Sequence, residues 1–132
     1  MAKFSAPSIL TALLVTLSLF FMVAGLNHFI NPGFYLPLIP PYFPWKDWIN
    51  WISGMIEIVL GLGLLFSRTR RISSWGIILL LLLFIPSHVY FIQIGSCVED
   101  GLCVPPWVAW FRLLLVHPLL LLWAYQVKKL EK

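Results

Sequence analysis

Five side chains able to carry charge or move protons stand inside long apolar stretches: His28, Glu57, His88, Arg112 and His117. A charge at the centre of a membrane span costs about 2.5 to 3.5 kcal/mol on insertion scales, so each of them needs a partner and marks a candidate site. Histidine titrates near neutrality, and low-dielectric surroundings favour the neutral form of a carboxylate. The set therefore points to a site that binds a polar headgroup or moves protons. Read structurally, the same residues are a Glu57–Arg112 ion pair that fixes helix register, with histidines donating to backbone carbonyls. Three histidines and a glutamate also suit iron, copper or zinc. No two of them stand three or four residues apart, the spacing that preforms half a site on a helix, and no metal is assigned.

Cys97 and Cys103 form a second chemical pair. Glu99, Asp100 and Gly101 make a turn between them, so a disulfide closes easily, and the outward side of a bacterial membrane is oxidising. A structural bridge is one reading. The other is a redox-active dithiol that exchanges electrons with a soluble partner or with a quinone. Against the second stand the lack of a Cys-x-x-Cys spacing and the acidic neighbours Glu99 and Asp100, which raise a thiol pKa and lower its reactivity.

These residues must be positioned by elements that live in lipid. Of 132 residues, 61% are hydrophobic and 11% charged, with a mean hydropathy of +0.93; soluble domains show about 45 to 50% and about 25%. A water-soluble globule and a disordered chain are excluded, and the length fits one domain over residues 1–132. The net charge of +4 does not indicate nucleic acid, because seven of the nine lysines and arginines flank apolar stretches, where they act as topology signals.

Four stretches are long enough to cross the hydrocarbon, near residues 9–29, 49–66, 72–94 and 107–127. Backbone groups in lipid must be satisfied within the segment, and no period of two suggests a barrel, so all four are expected to be helices. The expected fold is all-α: an antiparallel, up-down four-helix transmembrane bundle in a lipid bilayer. Lys3, the Arg68, Arg70 and Arg71 cluster, and Lys128, Lys129 and Lys132 fall on one side, with only Lys46 on the other. This places both termini in the cytoplasm. The first span exceeds the length of a signal-peptide core and reads as uncleaved. Trp45, Trp48, Trp51, Trp107 and Trp110 then mark the outer interface.

Counted from the outer face at 1.5 Å per residue, Glu57 is expected about 13 Å deep, His88 and Arg112 about 9 Å, His117 about 16 Å, and His28 almost at the surface. All five fall in the outer half, which suggests one shared polar pocket with Glu57 and Arg112 as its ion pair. His117 fits least well, since five residues of α-helix turn it away from Arg112. Ser53, Gly54 and Gly61 form a small-residue seam beside Glu57 that lets helices approach closely and turns the carboxylate into the bundle. Pro86 and Pro118 interrupt spans three and four and free the carbonyls of Leu82 and Leu114. The loop from Asn31 to Asp47 carries five prolines among Phe34, Tyr35, Tyr42, Phe43 and Trp45. It is expected to form no regular element and to lie in the interface as a connector or as an aromatic lid.

The order of these residues resembles the DoxX family of small four-helix membrane proteins. The resemblance rests on Gly25-Leu26-Asn27-His28-Phe29, Pro32, Pro40-Pro41, Ser53-Gly54-Met55-Ile56-Glu57-Ile58, Gly61-Leu62-Gly63-Leu64-Leu65, Thr69-Arg70-Arg71, Phe84-Ile85-Pro86 and Arg112-Leu113. It runs over about 100 residues, nearly the whole chain. Two departures stand out: the family often has Asn where His88 stands, and Leu-Pro-Leu-Gln where this chain has Leu113 to Val116.

The resemblance implies a bacterial inner membrane and association with a quinone-linked respiratory oxidoreductase, with His28, Glu57 and Arg112 on the family's polar positions. The expected function is an accessory subunit of a quinone- or thiol-linked membrane redox system, with quinone as the candidate cofactor and a membrane or periplasmic redox protein as the candidate partner. Two other classes stay open. One is a non-catalytic membrane partner or assembly factor. The weaker one is a small-solute or proton carrier, which would require a homo-oligomer to line a path.

Overall fold

A computed structural model describes residues 8–130; Lys3 and Lys132, two of the orientation signals, lie outside the described residues. The first span is α1 (Ile9–Ile30), opened by Ser8, whose hydroxyl accepts from the Thr11 amide at 3.2 Å and satisfies one of the unpaired donors of the first turn. The chain then forms α2 (Pro32–Tyr35) and a tight 3₁₀ turn (Leu36–Leu38). The second span is α3 (Lys46–Leu65), starting three residues earlier than the apolar run suggested. The third is the broken pair α4 (Ser67–Leu83) and α5 (Ile85–Gln93). The fourth is α6 (Pro106–Phe111), a π-helical turn (Arg112–Val116) and α7 (His117–Val127). Four continuous stretches, Ile9–Ile30, Lys46–Leu65, Ser67–Gln93 and Pro106–Val127, are long and apolar enough to cross a membrane.

The buried stripe of α1 runs through Leu14, Ser18, Phe21, Gly25 and His28, and that of α3 through Asn50, Gly54, Glu57, Gly61 and Leu64. Both alternate steps of three and four, the period that keeps a seam facing one neighbour. The helices run antiparallel: Ser18 Oγ donates to the Gly61 carbonyl at 2.6 Å, and Gly25 crosses Gly54 further along. A Cβ on Gly25 would lie 2.6 Å from the Gly54 oxygen, and one on Gly54 2.8 Å from the Gly25 oxygen. Only glycine permits this crossing. The small-residue seam thus exists at Gly54 and Gly61, while Ser53 sits half-buried at its margin.

Around the bundle, α3 packs on α4, α4 on α7, and α7 closes against α1. The apolar core of Leu14, Leu17, Phe21, Leu64, Ile77, Leu81, Ala124 and Val127 fills the half nearer the α3–α4 turn. At that turn one residue, Phe66, joins the two helices. Thr69 Oγ1 donates to the Gly63 carbonyl at 2.7 Å and Arg70 Nε to the Leu64 carbonyl at 2.9 Å, satisfying carbonyls the end of α3 would leave open. Arg70 Nη1 also donates to the Leu130 carbonyl, tying the end of the fourth span to the same pole. Arg68, Arg70, Arg71, Lys128 and Lys129 therefore share one end of the bundle, away from Lys46.

Two expectations about irregular segments change. The proline-rich loop is partly regular, because Pro32 stands at the first position of α2, where its missing N–H costs nothing. Close to the break at Pro86 the Leu81 carbonyl accepts from the Phe84 amide at 3.2 Å and also from another helix: His117 Nε2 donates to it at 2.7 Å. Before Pro118, the His117 amide reaches back five residues to the Arg112 carbonyl, producing the π turn.

Candidate functional site

α1 and α3 hold the site between them, at the end opposite the arginine turn. His28, in the last turn of α1, is 6% exposed, and Glu57, in mid-α3, is 4% exposed. His28 Nε2 lies 3.4 Å from Glu57 Oε2, the one ion pair formed among the described residues. The expected Glu57–Arg112 pair is not formed. Its failure is geometric: the Gly25–Gly54 crossing draws α1 so close to α3 that the His28 side chain fills the space beside the carboxylate. The same closeness buries His28 beside Glu57 although it stands in the last turn of α1.

Asn50, 1% exposed and seven residues before Glu57 on the same stripe, completes the arrangement. Its Nδ2 donates to the His28 carbonyl at 2.9 Å. A carbonyl only accepts, so the amide is turned with Oδ1 toward His28 Nδ1, at 2.7 Å. Nδ1 must then carry a hydrogen. Nε2 faces Glu57, and a proton taken up between them rests as imidazolium beside carboxylate or as neutral imidazole beside carboxylic acid. Both forms are neutral overall. Glu57 Oε2 is fully buried and makes no hydrogen bond in this arrangement, so the proton's position is not fixed by a third group.

Tyr35, from the proline-rich segment, covers the site. Its ring stacks on His28 with centroids 3.7 Å apart and planes 15° from parallel. Its hydroxyl accepts from Asn27 Nδ2 at 2.9 Å and donates to the Ala24 carbonyl at 3.5 Å. Burial pushes the Tyr35 phenol above the ordinary tyrosine value of 10.0; the Asn27 hydrogen bond opposes that and the Glu57 charge adds to it. The phenol is therefore a neutral donor at physiological pH.

His88 and His117 form a separate group with Arg112. The two rings pack edge to face with centroids 5.0 Å apart. The π turn, closed by a bond from the His117 amide to the Arg112 carbonyl, brings His117 nearer the side of Arg112 than five residues of regular α-helix would. The single pocket expected from depth is thus a His28–Glu57 site at the α1–α3 seam and a cationic group on α5, the π turn and α7. Among the described residues no three of His, Cys, Asp and Glu converge into a metal-holding set.

Cys97 and Cys103 are joined in a disulfide, and both are exposed. The backbone supports it: Val98 N donates to the Leu102 carbonyl at 2.8 Å and Val104 N to the Ser96 carbonyl at 2.9 Å, a short antiparallel bridge around the turn at Asp100.

Two site residues escaped the sequence reading. Asn50 stands at the start of the apolar run, where a polar residue reads as interfacial. Its signal was the step of four to Gly54 and seven to Glu57. Tyr35 was one aromatic among many in the loop, and nothing in its spacing singles it out.

A family model described as Domain of unknown function (DUF8561) matches residues 17–128. The match covers most of the chain and the whole of the site, and the chain belongs to this family. No curated protein and no solved structure matches it.

Proposed function

We propose that this family member is a multi-pass membrane protein with its arginine turn in the cytoplasm, serving a quinone- or thiol-linked redox system as an accessory subunit through the buried His28–Glu57 proton site. One observation carries the reading. The orientation of Asn50 turns His28 Nε2 toward Glu57, so that two titratable groups shielded by Tyr35 face each other, an arrangement suited to taking up or releasing a proton within the outer half of a bilayer. The excess of basic residues at the opposite pole supports the orientation. The resemblance to the DoxX family supports the redox setting.

The residues present fit a quinone. A groove of about 650 Å³ runs along the lipid side of α1, lined by Phe20, Val23 and Ala24 with Asn27 and Tyr35 at its outer end. Apolar walls with a few polar groups at one end suit a headgroup with an apolar tail. Asn27 Nδ2, with one hydrogen spent on the Tyr35 hydroxyl, has a second to donate to a carbonyl, and the Tyr35 ring touches His28, which in turn touches Glu57. A quinone accepts two electrons and two protons; the dithiol form of Cys97 and Cys103 supplies both in becoming the disulfide.

A second reading has its own support: the proton pair lies in the tightest helix crossing, as a device for locking α1 on α3 in a non-catalytic partner would. Thiol trapping in intact cells with a membrane-impermeant reagent separates the two. The account expects labelling only after external reduction, a thiol fraction that follows the quinone pool, and loss of that dependence in Glu57→Gln with the protein still in the membrane. A pair that stays oxidised whatever the quinone pool does, in wild type and variant alike, overturns the redox reading and leaves the locking role.

A further inference from the structure

We propose that Arg112, with His88 and His117 beside it, binds a phosphate oxyanion presented by an anionic phospholipid headgroup of the outer leaflet. Arg112 lies within the span Pro106–Val127, half-buried, and among the described residues it makes neither an ion pair nor a hydrogen bond. A guanidinium has five donors and cannot give up its charge. Inside a span it needs an anion or a water-filled path. The protein's own carboxylate at this depth is taken: Glu57 pairs with His28. Glu99 and Asp100 lie on the exposed outer loop and make no ion pair with it.

The surroundings of Arg112 add no counter-charge, and His88 is the neighbour whose ring N–H is free to donate. Its charge is felt at both His88 and His117. The bond from His117 Nε2 to the Leu81 carbonyl fixes that ring, and His88 packs edge-on against it with no hydrogen bond of its own among the described residues. The π turn brings Arg112 toward the side of His117. The neighbours point to where the anion comes from. Phe111, Leu114 and Leu115 are 48%, 66% and 45% exposed and face hydrocarbon, while Trp107 and Trp110, 69% and 49% exposed, mark an interface within about one and a half turns. Arg112 is six residues inside the span, about 9 Å from its end. That depth is within reach of a headgroup phosphate for a side chain that extends toward the interface. The fork of the guanidinium matches two phosphate oxygens.

The site is independent of the proton pair and of any redox role. Its test is native mass spectrometry of the full chain released from nanodiscs of phosphatidylglycerol mixed with phosphatidylcholine. Both headgroups present a phosphodiester, but choline offsets that charge in phosphatidylcholine alone, which implies about a ten- to hundredfold preference for phosphatidylglycerol. Arg112→Gln is expected to abolish it, Arg112→Lys to retain part of it, and Arg71→Gln, which removes the same charge at the opposite pole, to leave it unchanged. Displacement of phosphatidylglycerol by inorganic phosphate supports the oxyanion site and assigns it a ligand from the aqueous side as well. Wild-type protein without preference overturns the proposal, as does Arg112→Gln retaining the wild-type preference. If Arg112→Gln does not fold, the wild-type preference and the partial loss in Arg112→Lys decide the matter.

Discussion

Replacing His28 by leucine is expected to destabilise the bundle by about 3 to 5 kcal/mol, the cost of removing one partner of a buried pair and leaving the other uncompensated. Both groups are almost fully buried, 6% and 4% exposed, so solvent cannot step in for the missing partner. Asn50 Oδ1 loses its donor as well, which adds to the loss. Glu57→Leu alone is expected to cost less, because a neutral imidazole keeps its bond to Asn50. In the double variant His28→Leu/Glu57→Leu most of the stability should return, since apolar side chains of similar volume replace a buried pair at little or no net cost. The measurement is reversible unfolding in mixed detergent micelles across this double-mutant cycle. Additive losses would mean that the two side chains do not form a pair.

The second large effect belongs to the helix crossing. Gly54→Val should cost about 3 kcal/mol, at the upper end for overpacking, because the new Cβ would stand 2.6 Å from His28 Cβ and 2.8 Å from the Gly25 carbonyl oxygen. Backbone and Cβ atoms cannot rotate away, so the helices must part. Parting them separates His28 from Glu57, and the variant should lose site geometry along with stability. Gly33→Ala is the control. Nothing lies within 4 Å of its added Cβ, and its effect should stay within about 0.5 kcal/mol. Equal melting of the two variants in the same micelles would contradict the close crossing.

Much of this architecture could be read before the structure, and the reasons are physical. Apolar length alone located the four long helical stretches to within a few residues, apart from the extension of the third to Ser67. Gly54 and Gly61 announced a close helix contact because small residues at that spacing have no other use in lipid. The pairing of Glu57 was not legible. Depth along a helix is one coordinate, and Arg112 matched Glu57 in depth while lying elsewhere around the bundle. The angular coordinate came from the stripe that runs through Asn50, which a reading that began at Ser53 set a quarter turn away. The π turn was equally hidden: Pro118 announced an irregularity but not its direction, and only the added residue in the turn brings His117 toward the side of Arg112. Cys97 and Cys103 pair as their spacing allowed, because a turn at Asp100 and two cross-loop hydrogen bonds close the loop.

The position of one proton decides the central claim. Solid-state nuclear magnetic resonance of the ¹⁵N-labelled His28 imidazole in bilayers reports directly which nitrogen carries hydrogen. The account predicts a protonated Nδ1, bonded to Asn50 at every pH where the fold persists, and an Nε2 whose signal changes when Glu57 is replaced by glutamine. A bare Nδ1 with hydrogen fixed on Nε2, unmoved by Glu57→Gln, would contradict it and remove the shared proton on which the proposed function rests.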